Sequence, residues 1–78
     1  MNLTYDPRHN VAYLRLHRKT KHVETIRVSD ELNVDIALDG TVYGIELLNA
    51  NEQIGDLAKA KFVVENKATG TRREVALG

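Results

Sequence analysis

The sequence predicts a small α+β fold: an antiparallel β-meander of four to five strands, one short helix packed on one face, and a C-terminal extension. Three observations predict it. Apolar and polar residues alternate from Val11 to His17 and from Leu32 to Leu38, the period of two that a half-buried strand requires. Asp39-Gly40 follows the second run in the position of a hairpin turn. Asn49, with Glu52 three residues on, has the form of a helix start.

The elements follow in order. Leu3-Thr4-Tyr5 is a first strand, ended by Asp6-Pro7 because Pro fixes φ and offers no ladder donor. Arg8-His9-Asn10 completes the turn. From Val11 to His17, the residues Ala12, Leu14 and Leu16 share one face, while Val11, Tyr13, Arg15 and His17 share the other. The Leu face is assigned to the core. Arg18-Lys19-Thr20-Lys21 forms a polar loop. His22 to Val28 is the next strand, with Val23 and Ile26 on opposite faces; a bulge, or two partly covered faces, would reconcile them.

Leu32, Val34, Ile36 and Leu38 then alternate with Asn33, Asp35 and Ala37. Asp39-Gly40 suits a two-residue type I′ turn, whose central residues both need positive φ. Such a turn pairs Leu38 with Thr41, Ile36 with Tyr43, Val34 with Ile45 and Leu32 with Leu47, so most apolar residues meet apolar partners. Asn49 caps the helix, Ile54, Leu57 and Ala58 form its buried stripe, and Gly55 keeps it short. Phe62-Val63-Val64-Glu65 is a strand, Ala68-Thr69-Gly70 a turn, and Arg73 to Leu77 a return strand. The extension is thus a β-hairpin, with a helix running on through Val64 as the competing assignment.

A chain of 78 residues builds one domain, residues 1–78. Its core must be thin, since so short a chain buries roughly 60% of its unfolded surface. With no Cys, neither a disulfide nor a thiolate metal site can add stability. Homodimerisation is the remaining common route. No apolar run approaches the roughly 20 residues of a membrane span, and Met1-Asn2-Leu3-Thr4-Tyr5-Asp6 lacks the basic start of a secretory signal. A cytoplasmic protein is expected.

Net charge is zero, but the charges are sorted along the chain. Residues 1–29 hold six Lys or Arg against two acids, residues 30–56 hold seven acids and no Lys or Arg, and residues 57–78 hold five basic residues against two acids. The balance runs +4, −7, +3. Interleaved strands would neutralise it locally; opposed faces, or pairing between chains, are the alternatives.

Tyr5-Asp6-Pro7 and Ala12-Tyr13-Leu14-Arg15-Leu16 are followed by Glu24-Thr25, Asn33-Val34-Asp35, Asp39-Gly40 and Gly44-Ile45-Glu46-Leu47-Leu48-Asn49-Ala50. In order and spacing this series resembles a small, mainly bacterial family known as domain of unknown function 2283. The resemblance spans residues 2–57, about 70% of the chain, and leaves 58–78 as the extension. It implies a β-meander followed by a helix, and an accessory role of antitoxin-like or partner-binding kind. It carries over no catalytic residue. Arg8-His9-Asn10 departs from the acidic or small residues usual after the Pro.

Beside the resemblance, the residues themselves assign no catalytic group, no cofactor and no metal ligand. There is no Cys, and the only Ser, Ser29, precedes Asp30 in a turn. His17 and His22 have the residue type of a zinc or copper site, but Arg18, Lys19 and Lys21 would repel a cation. Arg15, Arg18, Lys19 and Lys21 place four permanent charges within seven residues, enough to contact phosphates or an acidic partner. Overall neutrality and the lack of a nearby stacking aromatic disfavour nucleic acid.

Asp35 and Glu46 fall diagonally on the outer face, with Asn33 beside them, the makings of an acid–base pair or a Mg²⁺ site in a small metal-dependent enzyme. A solvent-facing polar surface is the ordinary explanation. Val11, Tyr13, Val42 and Leu48 are expected to project from that face beside Arg15, Asp35 and Glu46. Mixed apolar and charged residues suit an interface. The function expected is therefore a non-enzymatic protein-interaction module, a homodimer whose partners are itself and another small protein.

Overall fold

The computed structural model describes residues 1–18, 22–56 and 59–76. Five strands form one antiparallel sheet: β1 (Asn2–Asp6), β2 (Val11–Arg15), β3 (Val23–Ser29), β4 (Leu32–Ala37) and β5 (Val42–Leu48). A five-residue helix, α1 (Ala50–Ile54), follows, and then a separate hairpin of β6 (Lys61–Glu65) and β7 (Arg72–Ala76). The α+β class holds, and the extension is a hairpin rather than a continued helix.

The strand order is β1-β2-β5-β4-β3, so the sheet is not one continuous meander. A β1–β2 hairpin joins a β3–β4–β5 meander through the pairing of β2 with β5. The registers align Leu3, Leu14, Ile45, Val34 and Ile26 in one apolar row across all five strands. Tyr5, Ala12, Leu47 and Leu32 form a second row on the same face.

One bulge corrects the expected β4–β5 register, and a second lies at the end of β3. From Leu32 to Asp35 the β4–β5 pairs match expectation, but Ile36 pairs with Val42 rather than Tyr43. The turn is responsible. Gly40 takes positive φ (90°) and Asp39 does not, so a type I′ turn cannot form. Gly40 N–H instead donates to Ala37 O, and Ala37 N–H to Thr41 O, each at 2.9 Å, closing a three-residue loop with a left-handed Gly. Asp39 Oδ1 accepts from Thr41 N–H at 2.9 Å. Leu38 therefore stands in the turn, 92% exposed, and Val42 joins the face of Ile36 instead of the outer face. In β3 the pairing is regular from Val23 to Arg27 and shifts only before Ser29, so Val23 and Ile26 do lie on opposite faces.

The helix start also differs from expectation. Asn49 occupies the N-cap with φ 52° and makes no side-chain cap hydrogen bond. Asn10, left-handed itself at φ 55°, supplies the cap from the β1–β2 turn. Its carbonyl accepts from Ala50 N–H and its Oδ1 from Asn51 N–H, both at 2.9 Å, and its Nδ2 donates to Asn49 Oδ1 and Asn51 Oδ1. Gln53 Nε2 fixes the other side of α1, donating to Leu48 O (2.6 Å) and Glu31 O (2.9 Å). Of the expected helix stripe, Ile54 is exposed, and Leu57 and Ala58 lie outside the described residues.

Burial is shallow. Among the described residues, Ala12, Ala37, Tyr43 and Ala50 are the buried apolar ones, and no large side chain is fully buried. Ala12 and Ala50 meet where α1 crosses the sheet, flanked by Leu3, Leu47 and Ala60. The chain is correspondingly flat, 35 × 35 × 21 Å, with a radius of gyration of 14.1 Å, against about 11.5 Å for a compact domain of this length.

Candidate functional site

The polar face of the sheet carries two cross-strand rows. Thr4, Tyr13, Glu46, Asn33 and Arg27 form one, and Asn2, Arg15, Gly44, Asp35 and Thr25 the other. Alternation within each strand puts them there, because the apolar residues between them face the other way.

Asp35 is the centre of this face and is only 8% exposed. Tyr13 Oη donates to its Oδ2 at 2.7 Å, and Thr25 Oγ1 to its Oδ1 at 2.6 Å. Tyr13 stands one row away on β2, with β5 between. It reaches Asp35 by laying its ring across Gly44, where an added Cβ would coincide with the phenol. One carboxylate thereby ties β2, β3 and β4 together. A buried carboxylate needs such donors, since desolvation without them is expensive. Beside it, Asn33 Nδ2 donates to Glu46 Oε1 at 3.0 Å.

Of the residues singled out from sequence, the structure brings Tyr13 and Asp35 into contact and sets Glu46 beside them with its own donor. Arg15, exposed, lines a small depression of about 110 Å³ with Asn2, Thr4 and Tyr13. Val11 and Leu48 pair with one another, half-buried, at the end of the face. Val42 is absent from it, having been turned over by the bulge. Thr25 was not foreseen; only the β3–β4 register, which the sequence left open, sets it opposite Asp35.

The basic loop is described only at its edges. Arg18 is exposed, while Lys19 and Lys21 lie outside the described residues. His17 packs edge-on against Tyr43, ring centroids 5.7 Å apart. Among the described residues no three of His, Cys, Asp or Glu group as metal ligands, and no helix is long and apolar enough to cross a membrane. At the β1–β2 turn, Asp6 accepts from His9 Nδ1 (2.9 Å) and Arg8 N–H (3.0 Å). The His9 hydrogen bond outweighs an opposing effect of desolvation and, with lesser help from the Arg8 hydrogen bonds, holds the Asp6 carboxyl below the usual aspartate range. This exposed cluster shapes the turn.

The polar face is thus a hydrogen-bonded staple whose carboxylates act as acceptors. Among curated proteins and among solved structures, nothing matches the chain. A family model matches residues 2–51, from the start of β1 to the Asn10-capped turn of α1, and the chain belongs to that family, described as Protein of unknown function (DUF2283).

Proposed function

We propose that the chain is a non-enzymatic protein-interaction module that works as a homodimer. One observation carries this reading. The chain exposes 5986 Å², about 1,200 Å² more than the roughly 4,800 Å² expected of a compact 8.8 kDa monomer. A stable interface removes roughly 800 Å² from each partner, so the surplus is large enough for one. It is also of the right kind, since the apolar sheet face is covered by little more than one short helix.

The polar face supports the second part of the reading, an antitoxin-like role in which the dimer binds another small protein. Tyr13, Arg15 and Glu46 present an aromatic ring and both signs of charge there, as interfaces do. Asp35 already engages both its oxygens with Tyr13 and Thr25, and among the described residues no third His, Cys, Asp or Glu joins it and Glu46 to complete a metal site.

Sedimentation equilibrium at micromolar concentration tests the dimer. A mass of twice 8.8 kDa is expected; the single-chain mass at every concentration would overturn the proposal.

A further inference from the structure

We infer that the second copy is held through the C-terminal hairpins: β6–β7 of each chain lies against the β3 end of its partner's apolar sheet face. This rests on the homodimer reading and adds to it the surface and the contact.

A two-stranded hairpin alone is marginal in water and needs a surface to lie on. The β6–β7 register sets Phe62, Val64, Arg73 and Val75 on one face. That face borders an apolar groove of about 350 Å³, whose opposite wall includes Leu3 and Leu14. The hairpin thus stands at the β1–β2 end of its own sheet and leaves space there. The apolar row beneath continues from Leu3 to Ile26 across four strand spacings, roughly 19 Å, so the far end lies beyond it. There Ile26 is 48% exposed and Val28 58%.

A two-fold axis parallel to the strands, with the apolar faces stacked, lays the β1 end of one sheet over the β3 end of the other at the same height along the strands. Each hairpin then arrives over its partner's Ile26. Charge agrees with this arrangement. The one charge on the hairpin's apolar face is Arg73. Glu24 shares the sheet's apolar face with Ile26, two residues along β3. Neither has an ion-pair partner among the described residues.

The chain has no Cys, so single-cysteine variants report the contact directly. Under mild oxidation, Ile26→Cys mixed with Val64→Cys is expected to give a disulfide-linked dimer, and Ile26→Cys alone to give none. Charge reversal provides a second measurement. Glu24→Arg and Arg73→Glu should each weaken self-association on the order of tenfold or more, by two like-charge contacts per dimer. Mixing the two variants should restore it, because both contacts become opposite in sign. A dimeric wild type with neither cross-link nor rescue overturns the hairpin contact and leaves the homodimer standing. A monomeric wild type overturns both.

Discussion

On one face of the five-stranded sheet, Asp35 and Glu46 find their donors within the chain: Tyr13, Thr25 and Asn33 come from three different strands. On the other face, the row from Leu3 to Ile26 runs out from under α1 and ends half in solvent. The difference follows from reach. Polar side chains are satisfied pairwise by a neighbour one or two strands away, which a single layer provides. Apolar side chains need a second layer, and a five-residue helix with a loosely placed hairpin does not supply one. A single layer can complete its hydrogen bonds while leaving its hydrophobic burial unfinished.

Substitutions on the two faces should break this contrast unequally. Ile45→Asp puts a charge in the middle of the apolar row and should cost roughly 3 kcal/mol or more. Urea unfolding should then show a lost or strongly shifted midpoint, and association should go with it. Asp35→Ala is expected to cost about 1–3 kcal/mol, because the Tyr13 and Thr25 hydroxyls lose their acceptor; Tyr13→Phe, which removes one donor, should cost less. Both polar-face variants should leave the sedimentation mass unchanged. Gly44→Ala forces the Tyr13 ring aside and should cost about 1–3 kcal/mol. In a double-mutant cycle with Tyr13→Ala, most of that cost should vanish, since no ring then remains to be displaced.

The smallest effect belongs to the exposed turn. The pKa of Asp6 is lowered in the folded chain, so its contribution to stability is present above the unfolded pKa, about 3.9. It is lost as pH falls through the lower folded value. Carbon chemical shifts of Asp6 should titrate below about 3.9, and Asp6→Asn should flatten the acid limb of the stability profile slightly.

The sequence carried what depends on neighbours along the chain. Alternation located the strands from Val11 and from Leu32, and the pairing expected from Leu32 to Asp35 holds because the bulge at Tyr43 offsets the extra residue in the turn. The bulge at Tyr43 was hidden because Asp-Gly serves either a two-residue turn, with both residues left-handed, or a longer one with only Gly40 so. That single choice moved Val42 to the opposite face. The β2–β5 pairing, the Asn10 cap on α1 and the Thr25–Asp35 hydrogen bond all join residues distant in sequence. No local pattern announces them. Tyr13, Asp35 and Glu46 were legible as outward residues, whereas the reason Tyr13 can reach Asp35 lies in Gly44, which carries no side chain to suggest it.

The Asn10 clasp has a consequence for how the chain assembles. The β3–β4 and β4–β5 pairings close over turns of two and three residues, but joining β2 to β5 brings Val11 against Leu48, across most of the family-matched segment. Loop-closure entropy makes that the late and slow event. Asn10 forms its bonds to residues 49–51 only after that closure is complete. Asn10→Ala should therefore cost about 1 kcal/mol as a lost cap, and that cost should appear in the unfolding rate while the folding rate hardly changes. The clasp is a latch set after the hairpins have formed.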